Sequence, residues 1–333
     1  MPSSISSSDR SSRHPRIDRS SISSSDRPVG RARVDRFTIA LLCTVFALLA
    51  LMEALSVVGF DRTSKVQRRE VSERRTLLDV RDSEASDDPH VAVLGNSLIL
   101  EGVDVSLLRA KIEPTYTPVP YFVLGTNYYD WFFGLKRLFA EGMRPRYVLL
   151  GLSPNQLAAQ GIKGDYSARY LFQQSDLIDV VRKTHMDATS ASGFLLAHYS
   201  EYYSTREITR GFFMRHVLPG VGELLHSRVV AFRDPEIKEA VLEPLAADRL
   251  AALDQLCRAN GSHFLLVVPP SYQKGAQVIE QAGRERGIPV LVPVPDGEFD
   301  ASYYQSDGIH LNAKGSQVFT ARLAASLREQ LPK

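Results

Sequence analysis

The sequence predicts an α/β protein in which helices cover both faces of a central parallel β-sheet, preceded by one transmembrane helix. Short apolar runs closed by glycine alternate with longer segments of helical spacing, a pattern typical of parallel sheets buried on both faces. Apolar residues make up 44% of the chain and charged residues 23%, which is the composition of a globular protein. One apolar run near the N-terminus is long enough to cross a bilayer.

The first segment, residues 1–35, lacks the apolar residues that a core requires. Serine and arginine dominate it, and the sequence SSISSSDR occurs twice, beginning at Ser3 and at Ser20. Such a composition predicts disorder. The segment is either a disordered cytoplasmic tail or sequence upstream of the true start codon. Aspartates interrupt its arginines and the chain's net charge is only +2, so no nucleic-acid partner is expected.

Residues 37–60 are predicted to form a transmembrane anchor. At about 1.5 Å per residue, this apolar run spans the ~30 Å hydrocarbon core. It is longer than the apolar region of a cleaved signal peptide and no Ala-x-Ala site follows it, so we expect an uncleaved signal anchor. Glu53 is its one acidic residue, and it either reaches the interface, since it lies within about two turns of the far end, or stays protonated. Basic residues flank both ends, so charge does not decide the orientation.

The charged segment 61–88 is predicted to be a stalk or juxtamembrane helix, and the α/β domain is predicted over residues 89–333. Its strands are the apolar runs that end at glycine or proline, at His90–Leu94, Tyr121–Leu124, Tyr147–Leu150, His263–Val268 and Pro289–Val292. Helical spacing predicts the main helices at Leu98–Lys111, Tyr128–Ala140, Leu245–Ala259, Gln277–Arg286 and Asn312–Leu331. From about 156 to 240 the alternation weakens, which favours a mostly helical insertion or lid.

Two motifs suggest chemistry. The first strand ends in Gly-Asn-Ser at residues 95–97, which places a hydroxyl where a buried strand gives way to a helix. Near the other end, Asp-Gly-Ile-His at 307–310 supplies an imidazole and a carboxylate to orient it. Serine, histidine and a carboxylate are the parts of a nucleophilic triad. Each motif alone also has a structural explanation, since Ser97 could be a helix N-cap and Asp307 a turn residue.

Together the motifs resemble the first and last conserved blocks of the SGNH (GDSL-like) hydrolases, the last being DGIHLNAKGS at 307–316. The resemblance covers about residues 90–155 and 262–330. It implies a flavodoxin-like three-layer sandwich of the SGNH type, with the helical insertion as an addition. It also implies an enzyme without cofactor. No metal is expected, because the histidines of the insertion lack the close pairing of a zinc site.

The resemblance assigns roles to individual residues. Ser97 would be the nucleophile, His310 the general base and Asp307 the group that fixes the base's tautomer. The oxyanion hole would consist of the N–H of Ser97, the N–H of Gly125 after the second strand, and the amide of Asn155 after the third.

Two departures from the family pattern bear on these roles. After the third strand the family reads Gly-x-Asn-Asp, whereas this chain reads Gly-Leu-Ser-Pro-Asn at 151–155, so the asparagine comes two residues late. Asn127 is an alternative donor, and an incomplete hole is a further alternative. Asn96 also stands where the better-known members carry aspartate. The altered third block, and the run HFLLVVPPSYQ at 263–273, resemble membrane-anchored relatives in exopolysaccharide or teichoic-acid acylation.

The resemblance therefore implies a membrane-anchored serine esterase or O-acyltransferase acting on an acyl ester of a cell-envelope or extracellular polysaccharide. Membrane-tethered relatives work outside the cytoplasm, which implies a periplasmic or extracellular domain. A second interpretation is a non-catalytic SGNH-fold protein that binds a glycan or an envelope-assembly protein. A third is a cytoplasm-facing lipase or thioesterase. The aromatic residues Tyr128, Tyr129 and Trp131 either pack a helix or stack on a sugar ring.

Overall fold

The structure is a computed structural model that describes residues 35–83, 88–217 and 237–331. Residues 1–34 of the predicted tail and residues 218–236 of the predicted insertion lie outside the described residues. Contacts along the chain divide it into two units, Met1–Leu48 and Leu49–Lys333. The α/β domain lies in the second unit.

The apolar run forms one continuous helix, α1, from Arg36 to Thr63. By length and composition alone, its segment Arg36–Gly59 is suited to crossing a membrane. Large apolar side chains along this segment are exposed, as lipid contact requires and as a helix buried in a protein core would not show. The prediction of a helix of transmembrane length is confirmed.

Within the described residues, the domain is built on a five-stranded sheet in which all neighbouring strands run parallel. The strands are β1 (His90–Gly95), β2 (Thr117–Phe122), β3 (Tyr147–Gly151), β4 (His263–Val267) and β5 (Val290–Leu291). Their order is β2-β1-β3-β4-β5. The chain therefore adds β2 on one side of β1 and the later strands on the other side. The carboxyl ends of β1 and β3 flank the resulting switch point, the place where open α/β sheets bind ligands. The predicted parallel α/β sheet is confirmed.

Helices cover both faces of the sheet. They are α2 (Lys65–Leu78), α3 (Ser97–Gly102), α4 (Val105–Ile112), α5 (Tyr128–Ala140), α6 (Pro154–Ala158), α7 (Asp165–Tyr170), α8 (Leu177–Lys183), α9 (Ala188–Tyr199), α10 (Glu201–Val217), α11 (Glu239–Arg258), α12 (Ala276–Arg286) and α13 (Ala313–Gln330). Along β1, Ala92 and Leu94 join the core that includes α5 and α11, whereas Val91 and Val93 join the core that includes α3, α4 and α13. This alternation is the two-residue period of a strand buried on both faces.

Helix α2 packs on the domain, although the sequence predicts a stalk or juxtamembrane helix there. Its Leu77 is fully buried. The N–H of Phe122 on the outer strand β2 donates to the carboxylate of Glu73 at 2.9 Å, and the guanidinium of Arg69 donates to the Phe122 carbonyl at 3.0 Å. An uncovered edge strand leaves such backbone groups unpaired. Side chains of α2 thus replace a neighbouring strand, and this part of the segment is not a free spacer.

Three elements of the domain differ by more than two residues from their predicted bounds. The helix predicted at Leu245–Ala259 is α11, which begins at Glu239 and contains Pro244. The sequence predicts the second strand at Tyr121–Leu124, but β2 begins at Thr117. The prolines at 118 and 120 argue against a strand when the sequence is read alone. The structure tolerates them because β2 is an edge strand. The helix predicted at Leu98–Lys111 is two helices, α3 and α4. The carboxylate of Asp104 accepts from the N–H of Leu107 at 3.0 Å and caps α4, which starts a new helix there.

Two glycines let α3 lie close against the sheet. Gly95 and Gly151 are partners at the ends of β1 and β3. A Cβ on Gly151 would lie 2.1 Å from the Ile99 side chain, and one on Gly95 would lie 2.6 Å from it. Ile99 of α3 is fully buried. The position of α3 therefore requires that both strand ends lack a side chain.

We expect Gly151→Ala to lower the free energy of unfolding by about 1–3 kcal/mol, the usual cost of overpacking a core. Urea unfolding measures this change. The control Gly161→Ala, where a Cβ would meet nothing within 4 Å, should stay within about 0.5 kcal/mol of the parent. If Ile99 is the obstacle, Gly151→Ala combined with Ile99→Ala should be less destabilised than the sum of the two single changes. Additive losses would contradict this contact.

Candidate active site

Ser97 lies at the carboxyl end of β1 as the first residue of α3. The N-cap of α3 is its neighbour Asn96, whose side-chain oxygen accepts from the N–H of Leu98 at 3.0 Å. The structural explanation of Ser97 as a capping serine is therefore wrong. Ser97 is half-buried, and within the described part of the chain neither its hydroxyl nor its N–H has a hydrogen-bond partner. Both groups are free to act on a ligand at the switch point.

Asn96 joins the turn after β1 to the turn after β2. It is fully buried, and its Nδ2 donates to the Thr126 carbonyl at 3.2 Å. The Thr126 hydroxyl donates to the Val123 carbonyl at 2.7 Å, and the Val123 N–H donates to the Gly95 carbonyl at 2.9 Å. An aspartate at position 96 would keep the cap of α3, but an ionised carboxylate has no proton to donate to Thr126. The amide is thus the group that holds the two turns together.

Gly125 lies in the turn after β2 with a φ of +72°, a backbone conformation that glycine adopts without strain. Its N–H has no hydrogen-bond partner among the residues that the structure describes, so it remains available as a donor. The Lys163 side chain lies beside it, with Cδ 3.9 Å from where a Cβ of Gly125 would stand. Burial lowers the pKa of Lys163, and the nearby carboxylates of Glu70 and Asp130 partly oppose that change.

Asp130 fixes both the start of α5 and the position of Lys163. It is fully buried, and its carboxylate accepts from the N–H of Asn127 at 2.8 Å and from the N–H of Lys163 at 3.0 Å. The Ser167 hydroxyl also donates to it. Burial raises the pKa of Asp130 to about 6, although these hydrogen bonds act in the opposite direction. Sequence reasoning missed this residue, but the three-residue spacing from Asn127 resembles a capping box and was a usable signal.

Asn155 is the second residue of α6, directly after β3. That helix is capped by Ser153, whose N–H donates to the Gln156 side chain at 2.9 Å and whose hydroxyl accepts from the Gln156 N–H at 3.4 Å. Asn155 is half-buried, and within the described residues its amide makes no hydrogen bond. Asn127, the alternative donor, is the N-cap of α5. The turns after β1, β2 and β3 thus place Ser97, Gly125 and Asn155 at the carboxyl end of the sheet.

The Asp-Gly-Ile-His motif forms a compact turn before α13. Nδ1 of His310 lies 2.7 Å from Oδ2 of Asp307, whose other oxygen accepts from the N–H groups of Ile309 at 2.8 Å and His310 at 3.0 Å. Burial disfavours ionisation of Asp307, but the hydrogen bonds from the His310 side chain and these N–H groups outweigh it, and its pKa lies below the usual range. An ionised Asp307 makes Nδ1 the donor and leaves Nε2 as the acceptor that a general base needs.

This turn lies against α3, the helix that carries Ser97. The Gln305 amide donates to the Glu101 carboxylate of α3 at 3.3 Å and to the Leu311 carbonyl at 3.0 Å. Within the described residues, no hydrogen bond joins Ser97 to His310 directly. Such contacts are often long before a substrate binds and tighten in the complex. The structure therefore brings the two motifs onto neighbouring elements and pairs only Asp307 with His310.

A cavity of about 540 Å³ opens beside the same turn. Its lining includes Tyr272, Gln273, Phe299, Tyr304 and Gly308. The Ser153 hydroxyl at the start of α6 donates to the side-chain oxygen of Gln273 at 3.4 Å, so one wall of the cavity is bonded to the turn after β3. Ser97, Gly125 and Asn155 are not among its lining residues. Asp307 and His310 are not lining residues either, so the cavity meets the Asp-Gly-Ile-His motif only at Gly308.

Aromatic residues after Gly125 contribute to packing. Trp131 is fully buried and meets Tyr121 edge to face, with ring centroids 5.8 Å apart. Tyr128 is buried, and the Arg249 guanidinium lies 4.4 Å from its ring centroid and 5.0 Å from that of Tyr129. Tyr128 and Trp131 are too buried to stack on a sugar ring and serve helix packing, whereas Tyr129 is half-buried and sugar stacking stays a prediction for its ring.

Comparison with protein-family models finds none that matches the chain, and comparison with curated proteins also finds no match. The chemistry of the site must therefore carry any functional assignment. That chemistry is a serine hydroxyl, a histidine oriented by a carboxylate, and free N–H groups at one edge of a parallel sheet.

We expect Asn96→Ala to lower the free energy of unfolding by about 1–3 kcal/mol, because it removes the cap of α3 and leaves the buried Thr126 carbonyl without its donor. Urea unfolding measures the loss. The control Asn260→Ala removes an amide bonded only to the Leu256 carbonyl of its own helix end and should cost about 0.5 kcal/mol or less. Equal losses in the two variants would show that Asn96 does not hold the turns.

Proposed function

We propose that the chain is a membrane-anchored, SGNH-like serine esterase or O-acyltransferase acting on an acyl ester. The observation that carries the proposal is the 2.7 Å pair of Asp307 and His310 on an element that contacts α3, where the Ser97 hydroxyl is not used for capping. The strand order 2-1-3-4-5 is that of flavodoxin-like doubly wound sheets and supports assigning the domain to the flavodoxin-like SGNH type.

In the first half of the reaction, Nε2 of His310 takes the proton of the Ser97 hydroxyl as its oxygen attacks the ester carbonyl. Asp307 stays ionised and stabilises the imidazolium that forms. The N–H groups of Ser97 and Gly125 and the amide of Asn155 donate to the negatively charged oxygen of the tetrahedral intermediate. The imidazolium then protonates the departing alkoxide, and the acyl group remains on Ser97 as an ester.

In the second half, His310 takes a proton from the molecule that attacks the acyl-serine, and it gives that proton to the Ser97 oxygen as the bond from this oxygen to the acyl carbon breaks. Water as attacker releases the acid, which is the reaction of an esterase, whereas a sugar hydroxyl accepts the acyl group, which is the reaction of a transferase. The cavity beside the His310 turn is lined by aromatic and polar side chains such as Tyr272, Gln273 and Tyr304. Such a lining suits a sugar unit and supports a cell-envelope or extracellular polysaccharide as the substrate class.

We further propose that α1 is a single membrane anchor and that the domain faces the periplasm or the cell exterior. The basis is the length and composition of Arg36–Gly59, together with the resemblance to membrane-tethered proteins that act on envelope polysaccharides. A cell-envelope or extracellular polysaccharide lies on that side of the membrane.

This orientation predicts that a reporter enzyme active only in the periplasm will be active when fused after Lys333 in a bacterial host. The matched fusion of a reporter active only in the cytoplasm should be inactive. The reverse pair of results would place the domain in the cytoplasm and favour a lipase or thioesterase.

We expect the full chain, purified in detergent, to hydrolyse p-nitrophenyl acetate and to react with a fluorophosphonate probe. Ser97→Ala and His310→Ala should each lower turnover by at least about 10³-fold, because the residues of a triad act as a unit. Ser97→Ala should also abolish labelling, since only an activated serine reacts. The control Ser106→Ala changes an exposed serine of the neighbouring helix α4 and should keep full activity.

A specific observation favours a second candidate function. No hydrogen bond joins Ser97 to His310 within the described residues, and the cavity lies apart from the serine. A non-catalytic protein that binds a glycan or an envelope-assembly partner is therefore the alternative. Equal inertness of the parent and both variants, together with absent probe labelling, would exclude simple esterase activity. Binding of an acylated polysaccharide by the inert protein would then support the alternative.

A further inference from the structure

Glu53 of α1 makes hydrogen bonds with the domain. Its carboxylate accepts from the Ser200 hydroxyl at 2.7 Å, from the N–H of Glu201 at 2.6 Å and from the N–H of Tyr202 at 3.1 Å. These donors lie where α9 ends and α10 begins. We call residues 195–202 the α9–α10 corner. The first N–H groups of a helix have no carbonyl acceptor within that helix. The Glu53 carboxylate is the acceptor for two of them in α10.

The position of Glu53 along α1 sets the depth of this contact. At about 1.5 Å per residue, Glu53 lies about 9 Å before Gly59, the end of the apolar segment. Leu55, Val57 and Val58 follow it and are exposed, at 63%, 54% and 57%. If α1 crosses a membrane, these side chains contact lipid. The α9–α10 corner then lies level with a part of α1 that is inside the apolar region.

The exposed side chains of α9 become more apolar towards the α9–α10 corner. Near its start, away from the corner, the exposed residues are small or polar and include Ser190 and Ser192. Near the corner, Leu195, Leu196 and Tyr199 are exposed, at 38%, 50% and 60%. The opposite side of α9 packs on the domain. An apolar surface that grows towards a membrane-crossing helix is the arrangement of an interfacial element, and tyrosine is enriched at that depth.

The corner is also fixed to the rest of the domain. The Arg169 side chain of α7 donates to the Glu201 carboxylate at 2.7 Å and to the His198 carbonyl at 3.0 Å. Phe194 and Ala197 are buried in the larger core. The exposed apolar side chains are therefore held in place rather than carried on a loose loop.

We propose that the α9–α10 corner inserts into the lipid bilayer beside α1, with Leu195, Leu196 and Tyr199 in contact with lipid. The inference rests on the proposed membrane anchor and adds a second membrane contact to it. An isolated carboxylate in the apolar region would be costly, and the donors of the corner satisfy Glu53 at that depth. The domain is then held at the membrane surface by two elements.

The test uses the full chain in vesicles of phosphatidylcholine and phosphatidylglycerol. Tyr199→Cys, Leu196→Cys and the control Ser192→Cys are each made together with Cys43→Ser and labelled with the environment-sensitive fluorophore NBD. Cys257 can stay, because burial raises the pKa of its thiol and limits labelling. The two test positions are exposed, so substitution should not disturb the fold. Lipids with a doxyl quencher near the headgroup report contact with the bilayer.

We expect quenching to lower the fluorescence at positions 196 and 199 at least about twofold more than at position 192. Position 192 lies nearer the start of α9, about 6 Å from position 196 along the helix axis. The parent chain labelled at its native Cys43 reports the anchor separately. Quenching at Cys43 with equal, weak quenching at 192, 196 and 199 would overturn the insertion of the corner and leave the anchor intact. Absence of quenching at Cys43 as well would overturn the anchor and the inference together.

Discussion

The contact between Ile99 and the paired glycines at the ends of β1 and β3 is the constraint on which the site depends. Only glycine at 95 and 151 lets α3 lie across both strand ends, since a Cβ at either position would overlap the Ile99 side chain. This contact fixes the start of α3 and therefore the position of Ser97. Asn96 adds a buried amide that caps α3 and holds the neighbouring turn.

The helix that follows α1 also helps to fix the site. Side chains of α2 pair with the edge of β2, and its Glu70 accepts from the Tyr166 hydroxyl and from the backbone next to Gly125. Burial raises the pKa of Glu70, and the hydrogen bond from Tyr166 and the charge of Lys163 oppose that rise. Lys163 lies between this carboxylate and Asp130. A buried set of charges thus connects α2 with the turn that would supply an oxyanion donor.

These contacts would orient both the catalytic base and the whole domain for the proposed function. A triad needs its base oriented before substrate arrives, and the turn at 307–310 does so within four residues by using both oxygens of Asp307. A domain held at the membrane by α1 and by the α9–α10 corner would present the carboxyl edge of its sheet in a fixed relation to the bilayer. An enzyme acting on a surface polysaccharide benefits from such a restriction, because it reduces the orientational freedom lost when substrate binds.

The sequence by itself determined the features that depend on local pattern. Apolar runs closed by glycine or proline located β1, β3 and β4 almost to the residue, helical spacing located α5 and α12, and the long apolar run located α1. The pairing of Asp307 with His310 also follows from their spacing. Only the tertiary structure decided that β2 starts among prolines, which an edge position permits, that Asn96 is the cap, and that Lys163 lies beside Gly125. It also decided that Glu53 meets Ser200, a residue 147 positions away. Such pairs leave no local signal, because the fold and not the spacing along the chain brings them together.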